Sequence, residues 1–271
     1  MSSTVELRRV FWDGRFGQMH VRVARPAPGN PVLFPPLVCL HQSPKSGKQM
    51  EALIKTLGRD RVCYAPDFPG FGDSAPPPRP PTVADYAAAI GDLLDAWGHV
   101  PVDFYGYHTG ALSAVELAIA RPTQVRRLVL VGLPLLDDAE RQAIRSQPWP
   151  VPITTDGSHL VTEWKRALHW AGPGQTLAMT AEGFVDKLKA GEKAFWGALA
   201  ATAQPFHERL PLVSQPILAI GPRDDLWDIS PRGEALMRNG RFERWPDYGF
   251  GVMDVATDVV AAAVRRHLDP A

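Results

Sequence analysis

The chain has 271 residues, with 29 Lys and Arg against 29 Asp and Glu, so its formal net charge is zero. That balance supplies no basic field for a phosphate backbone or an anionic membrane surface, and it argues against a nucleic-acid partner. The length admits one large α/β domain carrying an insertion, and by itself equally two small domains.

The first twenty residues alternate charged and apolar side chains. No positively charged start leads into an apolar stretch and a cleavage site, so no secretion signal is expected. Later apolar runs are broken by charge, Gly or Pro well short of the ~18 residues that a membrane helix needs. A soluble cytoplasmic protein, without a membrane partner, is the expectation.

Two segments, around Arg8–Trp12 and Gln18–Ala24, fit an antiparallel edge hairpin. Short apolar runs then alternate with helical patterns: LVCL (37–40), VCYA (62–65), VDFY (102–105), LVLV (128–131) and ILAI (217–220). Because none of them alternates with polar residues, both faces of each strand should be covered, which predicts a parallel sheet sandwiched by helices. Cys39 and Cys63 fall inside two of these runs, where a reduced thiol serves as a small hydrophobe rather than a disulfide or redox partner.

In TVADYAAAIGDLLDAWG, Val83, Tyr86, Ile90, Leu93, Leu94 and Trp97 recur at spacings of three or four. This predicts an amphipathic helix with Thr82 as its N-cap and Asp85 in its first turn. The prolines of APPPRPP (75–81) mark a surface loop with no assigned chemistry. From 133 to about 205 the strand runs vanish, and Trp149, Trp164, Trp170, Phe184, Phe195 and Trp196 appear among helix formers and breakers. The segment reads as a helical insertion over the carboxyl ends of the strands, either a lid or an ordinary elaboration packed on the core. The expected division is core 1–132, cap 133–205 and core 206–271.

The stretch DFYGYHTGALSAVELA (103–118) reads as a strand, a glycine-flanked tight turn and a helix that must stop near Arg121, since Pro122 follows. Gly106 and Gly110 stand where side chains would collide across such a turn. His108 occupies its tip, where a positive φ is normal and histidine is comparatively well tolerated.

Three other stretches follow the same order: LHQSPKSG (40–47), APDFPGFGDSAPP (65–77) and IGPRDDLWDISP (220–231). With them the chain resembles the α/β-hydrolase superfamily over nearly its whole length. It is most similar to a subgroup whose oxyanion loop begins His-Gln and whose elbow carries His-Thr-Gly. The resemblance implies a mostly parallel sheet flanked by helices, with a helical cap. It places Ser43 and Thr109 at the oxyanion-hole positions through their main-chain N–H groups, and Asp224 at the triad acid, with Asp225 one residue out of register. His41 becomes a loop-bracing histidine, and Gln42 replaces the glycine common beside it.

Two positions depart from that pattern. The elbow serine is His108, and the loop WPDYGFGVMD puts Phe250 where the superfamily has its histidine. Without serine and base the usual acyl-enzyme route is closed. A single imidazole is nevertheless kept, now mounted on the elbow. Its longer reach suggests a His108–Asp224 dyad, with Phe250 filling the vacated volume and with proton-transfer chemistry beside an oxyanion hole. The expected reactions are water attack on an activated carbonyl, or lyase, isomerase or decarboxylase steps. The expected substrate is a small, partly apolar carbonyl or ester compound, with His41, Gln42, Trp149, Trp164, Trp170 and Phe250 around it. One alternative is a small-molecule-binding protein that has lost its chemistry; another is an ordinary esterase using Ser43 or Ser113. His159, His169 and His207 read as surface or packing residues. No metal-ligand spacing or phosphate cradle is evident, and no cofactor is expected.

Overall fold

The computed structural model describes residues 5–98, 101–148 and 151–269. Among these residues eight strands are interspersed with helices. Strands β1 (Val5–Gly14) and β2 (Gly17–Pro26) form the expected hairpin, with Val5 opposite Pro26 and Gly14 opposite Gly17. Then come β3 (Leu37–Leu40), α1 (Glu51–Leu57), β4 (Cys63–Pro66), α2 (Val83–Trp97), β5 (Val102–Tyr107), α3 (Thr109–Ala120) and β6 (Val125–Val131). A helical segment follows: α4 (Asp138–Arg145), α5 (Ser158–His169), α6 (Leu177–Ala190), α7 (Trp196–Ala203) and the short α8 (Phe206–Arg209). The chain closes with β7 (Ile217–Pro222), β8 (Gly240–Trp245), α9 (Val252–Val255) and α10 (Thr257–Leu268).

The sheet order is β1-β2-β4-β3-β5-β6-β7-β8. Strand β2 pairs antiparallel with β1 and β4, and every other pair is parallel. Neighbouring residues of a strand point to opposite faces, so Phe104 joins a core built with α2 and α3 while Tyr105 joins one built with α1 and α10. Both faces are therefore dry, which is why the strand runs are apolar without alternation. Strand β8 carries no such run: Arg241, Glu243 and Arg244 interrupt it, as suits a sheet edge that meets solvent on one side. Cys39 and Cys63 lie on the paired strands β3 and β4, buried and free.

The helix over 83–97 is capped as its sequence predicts: Thr82 accepts from the Asp85 amide and the Asp85 carboxylate accepts from the Thr82 amide. Helix α3 ends at Ala120, before Pro122. Because β3, β5, β6 and β7 run parallel, their carboxyl ends open on one edge of the sheet, where ligands of open α/β folds bind. The loops that follow them carry Ser43, His108, Gly132 and Asp224. Helices α6 and α7 form a cap, and α7 packs against α2 and α3. Among the described residues, no helix is long and apolar enough to cross a membrane.

Candidate active site

The turn between β5 and α3 is a sharp elbow. Its two glycines are sterically required: a Cβ on Gly106 would run into the Gly110 carbonyl, and one on Gly110 into that of Leu40. His108 at the tip has φ 49° and ψ −107°, making it the one non-glycine with positive φ among the described residues. Backbone strain of about 1–2 kcal/mol at such a residue is tolerated where the surrounding structure dictates it. Here the His108 N–H donates to the Val131 carbonyl at 2.9 Å, and the His108 carbonyl accepts from Ala111 at 2.8 Å.

From this position the imidazole spans to the loop after β7. Its Nε2 lies 2.9 Å from Oδ2 of Asp224, whose side chain is fully buried. The path crosses Gly132, the residue after β6, which has φ +64°. A Cβ there would overlap the Cδ2 and Nε2 atoms of the ring and lie 3.5 Å from Asp224 Oδ2. Gly132 thus opens the space through which the two side chains meet. The Tyr107 hydroxyl donates to the same Oδ2 at 3.1 Å, and the Leu226 N–H donates to Oδ1 at 2.9 Å. With its oxygens already accepting from Tyr107 and Leu226, Asp224 also accepts a hydrogen bond from Nε2–H, so Nδ1 of the neutral ring carries the lone pair. Nδ1 has no protein hydrogen-bond partner among the described residues.

Burial lowers the proton affinity of His108, but the charge of Asp224, its hydrogen bond and the charge of Asp225 outweigh it, so the pKa stands above 6.5. Burial and the Asp224 carboxylate push the Tyr107 phenol far up, which keeps it a donor. Asp225, with Oδ1 at 4.0 Å from Nε2, is the looser neighbour: its side chain is 44% exposed, against none for Asp224. Phe250 stands edge-on to the His108 ring at 5.8 Å and edge-on to Trp170 at 5.6 Å, so aromatic carbon flanks the imidazole.

His108 opens onto a cavity of about 630 Å³ between the core loops and the cap. Gln42, Ser43, Trp170, Asp225 and Phe250 also line it. His41 does not: it is fully buried, its Nε2 accepts from the Phe68 N–H at 2.9 Å and its Nδ1 donates to the Gln42 carbonyl at 2.8 Å. Burial lowers its pKa, and the neutral ring braces the loop. Trp164 is also absent from the cavity wall; it packs edge-on against Phe184 at 5.5 Å, inside the cap. Both expectations of cavity contact are corrected by the same cause, since each ring finds a partner in its own layer first. Trp149 lies outside the described residues. His159, His169 and His207 stay off the cavity wall.

Thr109 begins α3, where first-turn N–H groups lack helical partners. It is buried and stands behind the cavity wall rather than on it. Gly197 of α7 covers this corner: a Cβ on it would collide with Ser43 Oγ and lie 3.2 Å from Thr109 Oγ1. Among the described residues the two alternative nucleophiles have no hydrogen-bonded base. Ser113 Oγ is buried and donates to the Thr109 carbonyl at 2.9 Å, and Ser43 Oγ is buried without a hydrogen-bond partner.

Two clusters bring possible metal ligands within 4.8 Å of one another, His20 with Asp67 and Asp73, and His108 with Asp224 and Asp225. No spacing in the sequence announces either. In the first, Asp67 already accepts from His20, Gly47 and Asp73; in the second, Asp224 accepts from Tyr107, His108 and Leu226. Hydrogen bonds account for both arrangements. Sequence reasoning missed Tyr107 and Gly132, whose only signals are a hydroxyl beside the tip and a glycine directly after an apolar run.

A family model described as the alpha/beta hydrolase fold matches residues 35–153. Pyrrolizixenacetamide deacetylase of Xenorhabdus hominickii is 30% identical over 108 residues, which is 40% of this chain and 41% of that protein. The match thus spans about two fifths of the relative's length. Among solved structures, a hydrolase from Pseudomonas aeruginosa PA01 matches with a TM-score of 0.78 at 19% identity, over 97% of this chain and 98% of its own. The enol-lactonase from Burkholderia xenovorans LB400 matches with a TM-score of 0.76 at 17% identity, over 96% and 99%. At such identities the likeness is one of fold.

Proposed function

From the α/β-hydrolase fold that this chain has, with a histidine at the tip of its elbow, we propose an enzyme that hydrolyses a small, partly apolar ester or related carbonyl compound without an acyl-enzyme. His108 is its general base and acid, Asp224 holds the ring, and the main-chain N–H groups of Ser43 and Thr109 receive the oxyanion. The observation that carries this reading is the His108–Asp224 hydrogen bond of 2.9 Å at the wall of the cavity beneath the cap.

In the proposed cycle Nδ1 takes a proton from water as the water oxygen bonds to the carbonyl carbon. The carbonyl electrons move onto oxygen, which is stabilised by the two N–H donors. The tetrahedral adduct then collapses, the bond to the leaving oxygen breaks, and imidazolium returns its proton to that oxygen. Asp224 offsets the positive charge on the ring throughout. The names of the deacetylase, the hydrolase and the enol-lactonase favour water as the second reactant over a lyase or isomerase step.

The test is a turnover screen of small esters, lactones, β-diketones and cyanohydrins with wild type and His108→Ala. A loss of about 100-fold or more in the folded variant is expected for the substrate that turns over. Unchanged turnover in His108→Ala overturns the proposal, as does labelling of Ser43 or Ser113 by a fluorophosphonate. Binding without turnover in the wild type assigns the chain to the binding-protein alternative.

A further inference from the structure

The cavity wall carries four cationic side chains, Lys45, Lys48, Arg166 and Lys187. Arg166 and Lys187 both pair with Glu163, and Lys48 stands 3.9 Å from Glu51 and from Glu182. Lys45 differs. Among the described residues its ammonium makes no hydrogen bond and no ion pair within 4.0 Å, although it is half-buried between the oxyanion loop and α6. It lies across Gly183, where a Cβ would overlap Nζ, so the cap keeps a gap in its helix for this side chain.

Asp186 and Asp254 face the ammonium from α6 and α9 without touching it, and Lys187 adds an opposing charge. Asp186 already accepts from Ser46 Oγ at 2.9 Å. Burial lowers the Lys45 pKa, so the half-buried ammonium gains from a contact anion that the described residues do not provide. The same cavity is also lined by the apolar side chains of Met179, Phe184, Phe195 and Trp170, which suit a hydrocarbon body. Lys45 also follows Ser43 by two residues in the same loop, within about 7 Å along the backbone.

We propose that Lys45 anchors a carboxylate of the substrate, so that the compound turned over is a carbonyl or ester bearing its own carboxylate a few bonds from the reacting carbon. This rests on the reading of His108 as the proton-transfer group beside Ser43. The charge-assisted hydrogen bond forms at a half-buried ammonium, where it is stronger than at a fully exposed one. The amide of the same acid, equal in shape and neutral, cannot replace it.

Isothermal titration with phenylbutyrate and phenylbutyramide, at about pH 8 so that free imidazole is neutral, tests this without turnover. The wild type is expected to bind the carboxylate about tenfold or more tightly than the amide, and Lys45→Met and Lys45→Gln to bind the two alike. His108→Ala is expected to keep the preference, which separates this proposal from the catalytic one. Equal binding by the wild type, no binding of the carboxylate, or a preference that survives in both Lys45 variants overturns it. Should His108→Ala keep its turnover while the preference is lost only in the Lys45 variants, the catalytic reading fails and the anchor stands.

Discussion

His108 and Asp224, 116 positions apart, meet through one hydrogen bond of 2.9 Å that passes over the bare Cα of Gly132. Asp224 stands in the loop after β7. The imidazole reaches it from the elbow instead of from the late loop, where Phe250 packs against its edge. Three expectations follow from the way this pair is held.

Gly132→Ala places a methyl group in the volume of the His108 ring and forces an alanine to φ +64°. The backbone alone costs about 1–2 kcal/mol, read as a lower denaturation midpoint. Turnover should fall at least tenfold, since the displaced ring loses its contact with Asp224. A variant with wild-type kcat would mean that the ring need not lie where it does.

The pH dependence has a definite sign. On the proposed mechanism His108 works as a base in its neutral form, so kcat/KM should rise with pH through a limb above 6.5, because Asp224 and Asp225 hold the proton on against burial. Asp224→Asn should shift that limb to lower pH and reduce kcat. Stability runs the other way: the raised pKa means that the folded state binds the proton more tightly than the unfolded chain. The stabilisation is fully present below the unfolded pKa and is lost as pH rises through the folded one. Urea midpoints for wild type and His108→Gln across this window measure it, and a wild-type curve as flat as the variant's counts against the pair.

Tyr107→Phe removes one of the two donors to Asp224 Oδ2. A hydrogen bond to a charged group is worth about 1.5–3 kcal/mol, and a stability loss of that order is expected. The remaining carboxylate charge then acts more fully on His108, so the activity limb should move to higher pH, opposite to Asp224→Asn. A pH–rate comparison of the two variants decides whether Tyr107 acts through Asp224 or only fills space.

Local features of the chain were legible before any coordinates. The uniform apolar runs, the Thr82–Asp85 box and the Pro122 stop depend on neighbours within a few residues, so patterning and capping chemistry predict them. The elbow belongs to the same class: its glycines collide with atoms of the adjoining strand and helix, and the tip residue must take a positive φ. Strand β8 was not legible in this way, because an edge strand with Arg241, Glu243 and Arg244 has no continuous apolar run to mark it.

What the sequence by itself determined is the layered α/β core, the elbow with a histidine at its tip, and an acid four or five positions after the ILAI run. Tertiary structure decided which carboxylate the ring meets, that Tyr107 shares it, that His41 faces inward and Trp164 turns to Phe184, and that Lys45 lies in the cavity. The reason is physical. Backbone conformation follows from short-range sterics and hydrogen bonding, whereas a side chain's partner depends on which volume neighbouring elements leave empty, and here that volume is the missing Cβ of Gly132.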